Sequence, residues 1–376
     1  MKNFIKNVLA LLIGIVMAFL IMEALLRVYN PFAFRVKGDK IVLPVNNKLV
    51  FKSDMSKGLV SKFDETIIHT TNSLGFRGEE PPSDFEKYLT IITVGGSTTE
   101  CTFLSDGKTW SDLLERNLKR YFKNIWINNA GFDGHSTFGH LVLMEDYIVH
   151  LKPDIVLFLI GANDLGRDDL GEYDKAMMRD KLMFHSLKWF AKSMANHSEV
   201  FSMGLNLYRY VKARAIAVTH RELDFRVFRN RYLTDEQNDI EGQATQPHMI
   251  ELLKGFKSRI KALIMISKDH NIEPVLITQP SLYGDFTDDE TGINFSFTKN
   301  AWNELELYND VTRRVGKEEN ILVIDLAAEM PKNTKYYYDW FHYTNEGSEK
   351  VSEIIYNNLY PYVTHRFTEY LIDEVK

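Results

Sequence analysis

The chain has 376 residues, of which 45% are hydrophobic and 26% are charged, which is enough for one sizeable core with additional segments. Its net charge is −6 at pH 7. A nucleic-acid-binding protein would need a clustered basic surface, so the composition argues against a nucleic-acid partner. The single cysteine, Cys101, rules out an intrachain disulfide and leaves the redox compartment open.

An apolar segment lies near the start of the chain. It runs from Val8 to Met22, continues past Glu23 to Leu26, and follows Lys2 and Lys6. This length is typical of a bilayer span. The residues after it lack the small-residue pattern of a signal-peptide cleavage site. The sequence therefore predicts an uncleaved transmembrane anchor over residues 1–30.

Strands and helices alternate through the rest of the chain. After a stem at residues 31–83, which we expect to pack on the domain, the predicted strands are Tyr88–Val94, Ile125–Asn128, Ile155–Ile160, Pro274–Thr278 and Ile321–Leu326. The predicted helices are Trp110–Phe122, a segment capped by Ser136 and ending near Leu151, His248–Lys268 and Ala301–Val315. This alternation predicts a mostly parallel sheet with helices on both faces, in a domain over residues 84–365. A helical cap is predicted as an insertion at about 166–246, and residues 366–376 form a tail.

Four turns with polar side chains follow predicted strands. They are Gly95-Gly96-Ser97-Thr98-Thr99, Asn129-Ala130-Gly131-Phe132-Asp133-Gly134, Gly161-Ala162-Asn163-Asp164 and, more distantly, Asp339-Trp340-Phe341-His342. Ligands of open parallel sheets bind at the carboxyl ends of the strands, so these turns are expected to meet. Each turn alone is an ordinary loop. Together they provide a nucleophile, a base beside a carboxylate, and oxyanion donors, which are the groups that acyl transfer requires.

The order Gly-Gly-Ser, Asn-x-Gly-x-x-Gly, Gly-x-Asn-Asp and Asp-x-x-His resembles the signature blocks of the SGNH, or GDSL-like, hydrolases. The resemblance spans Tyr88 to about Leu359. It implies a flavodoxin-like three-layer α/β/α fold with a mostly parallel five-stranded sheet. It also implies that Ser97 is the nucleophile, that His342 accepts the serine proton, and that Asp339 orients the imidazole.

The same resemblance implies an oxyanion hole formed by the Ser97 N–H, the Gly134 N–H and the Asn163 side chain. The chain departs from the family at Gly96, where many members carry Asp. We expect Gly96 and Tyr283, which follows the fourth predicted strand, to contact substrate.

Two other kinds of site are disfavoured. The α/β-hydrolase elbow reads Gly-x-Ser-x-Gly, but Thr99 takes the place of its last glycine, and His342 follows its acid by only three residues. His135, His140 and His150 lack a zinc spacing. The sequence implies no metal and no cofactor.

The predicted insertion carries basic residues among aromatic ones, which suits either a membrane-facing helix or a cap with a solvated charged face. Those basic residues are Lys181, Lys188, Lys192, Arg209, Lys212, Arg214, Arg221, Arg226, Arg229 and Arg231. Both interpretations remain open from the sequence.

The leading hypothesis is a membrane-anchored esterase that removes acyl, for example acetyl, groups from a cell-envelope saccharide or lipid through a Ser97 acyl-enzyme. An O-acyltransferase would use the same groups, and a non-catalytic saccharide-binding module is the alternative from another class. Arg27, Arg35, Lys37 and Lys40 after the anchor outnumber the two lysines before it, which favours a cytoplasmic domain. The anchor-and-stem layout resembles bacterial envelope members of the family, and on that resemblance we expect the domain outside the cytoplasm.

Overall fold

The structure is a computed structural model that describes residues 2–31, 36–38, 40–52, 63–166, 187–215, 225 and 247–373. The chain divides into two compact units. An anchor unit comprises Met1–Pro44 and Ala176–His220, and a sheet unit comprises Val45–Lys175 and Arg221–Lys376.

The helices and strands are numbered in chain order. The helices are α1 (Lys2–Val28), α2 (Ser97–Glu100), α3 (Trp110–Leu118), α4 (Thr137–Leu143), α5 (Val149–Leu151), α6 (Leu187–His197), α7 (Glu199–Ala215), α8 (Pro247–Asp269), α9 (Lys299–Glu319), α10 (Leu326–Glu329) and α11 (Asn345–Arg366). The strands are β1 (Val36–Lys37), β2 (Lys40–Ile41), β3 (Lys48–Lys52), β4 (Thr66–Thr70), β5 (Leu89–Gly95), β6 (Ile125–Asn129), β7 (Ile155–Ile160), β8 (Glu273–Thr278) and β9 (Val323–Ile324).

A five-stranded sheet in the order β6-β5-β7-β8-β9 forms the centre of the sheet unit. All of its pairings are parallel. Every residue of β5, β6 and β7 is buried, as expected for strands covered by helices on both faces. In this flavodoxin-like order, β6 is added on one side of β5, and β7, β8 and β9 are added on the other side. Ligands of such sheets bind at the carboxyl ends of the strands, next to the point where the order of addition changes side. The predicted fold class is confirmed.

The two faces of the sheet are covered by different helices. Ile91, Leu157 and Ile277 point to one side and pack in a core cluster with residues of α3 and α11. On the other side α8 packs beside α9, and both contact β8. The result is a three-layer α/β/α arrangement.

Several elements differ from the sequence-based expectation. The fifth strand was predicted to extend to Leu326, which is wrong, because Asp325 leaves the ladder to accept hydrogen bonds from Thr278 and Arg313. The helix predicted to end near Leu151 is capped by Ser136, as expected, but a π-helical turn at Met144–Ile148 interrupts it. Helix α11 was not predicted.

The part of the predicted stem from Val45 onward belongs to the sheet unit. It contains the antiparallel pair β3–β4, which the sequence did not indicate. Further along, Arg77 forms a bridge with Asn129 of β6, and the Asn72 side chain bonds Asn128. This segment therefore extends the edge of the central sheet.

The predicted insertion at about 166–246 is described only in part. Residues 187–215 form α6 and α7 of the anchor unit, and Phe225 belongs to the sheet unit. Lys181, Arg221, Arg226, Arg229 and Arg231 lie outside the described residues. In the tail, Ile372 N–H donates to Tyr121 O at 3.0 Å, which ties residue 372 to the sheet unit.

Candidate active site

Ser97 lies at the carboxyl end of the central strand β5. Strand β5 ends at Gly95 and α2 begins at Ser97, so the chain reverses within a single residue. A Cβ at Gly95 would lie 2.1 Å from Thr99 Oγ1, which explains why glycine occupies this tight turn. Ser97 is only 9% exposed.

Three side chains that are far apart in sequence form one hydrogen-bonded chain. Ser97 Oγ lies 2.7 Å from His342 Nε2. His342 Nδ1 lies 2.7 Å from Asp339 Oδ2 and 2.9 Å from Asp339 Oδ1. With Nδ1–H donating to Asp339, His342 Nε2 is left as the acceptor for the serine proton. The structure thus brings together the nucleophile, base and acid that the sequence proposed.

The Asp339 carboxylate is prepared by its own turn. Its Oδ1 accepts the backbone N–H groups of Phe341 at 2.9 Å and of His342 at 2.8 Å. Burial works to raise the pKa of Asp339, but attraction to His342 and these hydrogen bonds outweigh it and hold the pKa below its ordinary value. A carboxylate that stays ionised can fix the imidazole in one orientation. The Tyr338 ring stacks on His342 with centroids 5.5 Å apart, which supports the same orientation.

The expected oxyanion donors come from three turns. Ser97 is the first residue of α2, so its N–H has no partner within the helix. Gly134 has φ +76°, a conformation that glycine adopts without strain. Its neighbour Asp133 donates its N–H to Glu100 Oε2 at 2.6 Å, which fastens this loop to α2. Asn163 directs Nδ2 to His135 O at 3.0 Å.

Gly96 admits the Asn163 amide. A Cβ built at Gly96 would lie 2.3 Å from Asn163 Nδ2 and 3.1 Å from His135 O. A side chain at this position would require the Asn163 amide to shift. The glycine at this position, where many members of the resembling family carry aspartate, is thus matched to the close approach of Asn163.

Asp164 holds the Asn163 turn from behind. Its carboxylate is 1% exposed and accepts Thr137 Oγ1–H at 2.5 Å. Arg259 Nη2 donates to the same carboxylate at 3.2 Å. The sequence pointed to the Asn-Asp pair, but Arg259 could be found only from the fold, since it lies on the distant helix α8.

Arg77 is another positioning residue that the structure identifies. It is 3% exposed, and its guanidinium donates to the carbonyl oxygens of Glu100, Cys101 and Leu104, each at 2.7 Å. These contacts fix the end of α2, just after Ser97. Arg77 therefore holds the backbone of the site.

An aromatic wall, defined here as Tyr283, Trp340 and Phe341, lies beside the base. Tyr283 stacks on Trp340 with centroids 5.2 Å apart and meets Phe341 edge-on at 5.3 Å. Burial, and then the nearby charge of Asp339, raise the pKa of Tyr283 to about 12. Lys332 donates to Tyr283 O and Ser281 O, which secures the loop that carries Tyr283.

The cysteine close to Ser97 and the possible metal ligands are further candidate functional groups. Cys101 is buried, and burial raises the pKa of its thiol to about 12, so it stays protonated. Within the part of the chain that the structure describes, no cluster of three His, Cys, Asp or Glu side chains could hold a metal ion.

Comparison with known proteins gives one family. Residues 93–215 match the model of the GDSL-like lipase/acylhydrolase family. Among solved structures, the chain is similar to the lipase/acylhydrolase from Enterococcus faecalis at 17% identity, covering 73% of this chain and 96% of that one, with a TM-score of 0.40. It is also similar to the acetylxylan esterase Axe2 from Geobacillus stearothermophilus at 14% identity, covering 72% and 93%, with a TM-score of 0.41. A comparison with curated proteins found no match.

Proposed function

We propose that this chain, a serine ester hydrolase that matches the GDSL-like lipase/acylhydrolase family over residues 93–215, removes short acyl groups, such as acetyl, from a cell-envelope saccharide or lipid. The reaction proceeds through an ester of Ser97. The observation that carries this proposal is the 2.7 Å contact between Ser97 Oγ and His342 Nε2. A serine hydroxyl is a weak nucleophile until a base takes its proton.

In the first half of the reaction, Ser97 Oγ bonds to the ester carbonyl carbon while its proton passes to His342 Nε2. The tetrahedral intermediate then collapses. The bond to the alcohol oxygen breaks, and that oxygen takes the proton from His342. In the second half, water loses a proton to His342 and attacks the acyl-enzyme, which releases the acid and restores the Ser97 hydroxyl. Asp339 stays ionised throughout and stabilises the imidazolium.

The negative oxygen of the intermediate needs donors that are fixed in advance. We assign this task to the Ser97 N–H, the Gly134 N–H and Asn163 Nδ2. The hydrogen bonds that fix these turns support the assignment, because donors that need no reorientation stabilise developing charge best. Gly96 contributes by leaving room for the Asn163 amide, and we therefore treat it as a positioning residue.

A saccharide or glycolipid substrate is supported by the aromatic wall. Tyr283, Trp340 and Phe341 are half-buried and present flat apolar faces beside the catalytic histidine. Such amphipathic rings suit the apolar face of a sugar ring. The wall gives Tyr283 and Trp340 a place in binding the alcohol part of the ester.

We further propose that α1 anchors the protein in a membrane with the sheet unit outside the cytoplasm. Helix segment Asn3–Val28 contains an 18-residue window with a mean hydropathy of 2.7, and it is long and apolar enough for a span. In intact spheroplasts, externally added protease should digest the sheet unit. Protection until lysis would place it in the cytoplasm.

The activity is tested with full-length protein in detergent on aryl esters of increasing acyl length. The intact protein should turn over the shortest esters fastest, and Ser97→Ala should abolish turnover. The matched control is Ser258→Ala, at an exposed serine of α8, which should keep full activity. A fluorophosphonate probe should label the protein at Ser97.

The same assay separates the alternatives. Adding an acceptor sugar should leave hydrolysis dominant. Acyl delivery to the sugar that outpaces hydrolysis would make the protein an O-acyltransferase. Absence of turnover on every acyl donor, with no labelling of Ser97, would favour a binding module.

A further inference from the structure

Helix α7 of the anchor unit has its polar and apolar faces reversed relative to a helix of a water-soluble protein. Ser198, which precedes the helix, and Ser202 and Asn206 are 7%, 4% and 8% exposed. These residues follow one another at a spacing of four and so line one helix face. Asn206 Nδ2 donates to Val36 O at 2.7 Å and to Ser202 O at 3.0 Å, so the buried face is hydrogen-bonded.

At the side chains of α7 that the structure describes, the exposed large residues are apolar. Leu207, Tyr208 and Val211 are 58%, 66% and 60% exposed, and Phe201 is 40% exposed. Amphipathic surface helices in water place such residues inward and their polar residues outward. A continuous exposed apolar stripe marks a surface that meets something other than water.

The structure also indicates what this stripe meets. Phe19 of α1 packs edge-on against Phe201 with centroids 5.8 Å apart. Phe19 lies within the apolar segment Asn3–Val28, whose side chains are otherwise almost all exposed. The stripe on α7 is thus continuous with the surface that is proposed to face lipid.

A carboxylate fastens the two helices at a defined level. Glu23 of α1 accepts Ser198 Oγ–H at 2.7 Å and the N–H groups of Glu199 and Val200, both at 3.1 Å. Helix N-termini attract negative charge, and these donors satisfy a carboxylate that would be costly near hydrocarbon. Phe19 lies four residues before Glu23, which is about 6 Å further into the span.

We propose that α7 is a second membrane-contacting element. Its face at Phe201, Leu207, Tyr208 and Val211 lies in the membrane interface that the C-terminal end of α1 crosses. The proposal rests on the anchoring function proposed above for α1. Lipid, and not a protein partner, is the occupant, because the stripe continues the lipid-facing surface of α1.

The test uses full-length protein in phosphatidylcholine vesicles with an environment-sensitive fluorophore on one cysteine. The native Cys101 is buried and its raised pKa keeps it protonated, so it does not compete for the label. Labels are placed through Leu207→Cys and Val211→Cys, at exposed positions where the fold has no need of the native side chain. Met265→Cys, at an exposed apolar residue of α8, is the matched control, and Leu12→Cys marks the span.

Labels at 207 and 211 should be quenched several-fold more by lipids with a shallow nitroxide than the label at 265, and several-fold less by aqueous iodide. Equal behaviour at 207, 211 and 265 would overturn the proposal. Shielding of 207 and 211 from both quenchers would also overturn it, in favour of a protein partner. The label at position 12 separates the two proposals. If deep nitroxides quench this label while the labels at 207 and 211 stay unquenched, the proposed anchoring by α1 is supported and the proposed lipid contact of α7 is overturned.

Discussion

Each end of the central sheet holds an aspartate whose carboxylate is hydrogen-bonded. The pKa values of these two carboxyl groups are shifted in opposite directions. At the carboxyl end, Asp339 faces His342, and its pKa is lowered although it is the more deeply buried of the two. At the amino end, the Asp154 carboxylate accepts Thr90 N–H at 2.8 Å and Thr90 Oγ1–H at 2.7 Å, and no cation is among the groups that shift its pKa. Burial, assisted by repulsion from Glu369, raises its pKa. A charged partner, more than the depth of burial, decides which carboxyl stays ionised.

The same contrast extends to the surroundings of these residues. A cleft of about 860 Å³ lies at the amino end, lined by residues that include Asp154, Glu273 and Arg366. There Glu273 accepts hydrogen bonds from Tyr362 and pairs with Arg366, each at 2.5 Å. The ion pair balances the charge of Glu273 with that of Arg366.

The largest loss of activity is expected for His342→Ala. We expect kcat for a short aryl ester to fall roughly 10⁴- to 10⁶-fold, as for other serine hydrolase bases. Removing the imidazole also takes away the electrostatic and hydrogen-bonding partner that keeps the pKa of Asp339 low. His270→Ala, at an exposed histidine following α8, is the control and should keep wild-type kcat. Comparable losses in both variants would show that the effect is not specific to the site.

A smaller loss is expected for Asn163→Ala. Removing one oxyanion donor typically costs about 100- to 1,000-fold in kcat. The thermal midpoint should remain close to wild type, because Asp164 and Arg259 still hold the turn. Asn358→Ala, at a partly buried amide of α11, serves as the matched control. Near-full esterase activity of Asn163→Ala would remove this residue from the site.

Gly96→Ala tests whether the departure from the family pattern serves the Asn163 amide. The added Cβ would displace that amide, and a misplacement of about 1 Å can cost roughly 100-fold in rate. The decisive measurement is the double variant with Asn163→Ala, which should be no slower than Asn163→Ala alone. Additive losses would mean that Gly96 acts independently of Asn163. Gly204→Ala, with open space around its Cα, is the control.

The smallest effect is expected at the amino end, in Asp154→Asn. Since the folded-state pKa of Asp154 is raised above 3.8, the folded protein holds a proton that the unfolded chain releases. Its contribution to stability is therefore greatest at acid pH and declines as the pH rises through the raised pKa. The variant should lose this decline in urea-unfolding midpoints and should keep wild-type kcat. The pH dependence of the stability contributed by Asp339 has the opposite sign. This contribution is lost as the pH falls through the lowered pKa of Asp339.

Much of the fold could be read from the chain. Buried strands such as Ile155–Ile160 are continuous apolar runs bounded by turns, so their bounds agree with the structure. The turns that we propose to be catalytic could be named because the carboxyl ends of parallel strands converge. The distance between Ser97 and His342 had no sequence signal of its own, because 245 residues separate them.

What the sequence missed depends on tertiary contacts. The strand predicted at Ile321–Leu326 is cut short because Asp325 finds Arg313, a partner on another element. The role of Gly96 became visible only with Asn163 beside it. In α7, a mixture of polar and apolar residues is compatible with either face being buried, and the contact of Asn206 with Val36 decides between them.

The link between Glu23 and Ser198 also imposes an order of events during synthesis. The partner of Glu23 lies 175 residues downstream. At ordinary elongation rates of about 5 to 20 residues per second, α1 emerges roughly 10 to 35 s before the residues that satisfy its carboxylate. During that interval the nascent anchor carries a charge with only Arg27 beside it. If α1 anchors the protein as proposed, the hydrogen bonds that satisfy Glu23 form only after Ser198, Glu199 and Val200 have been synthesised.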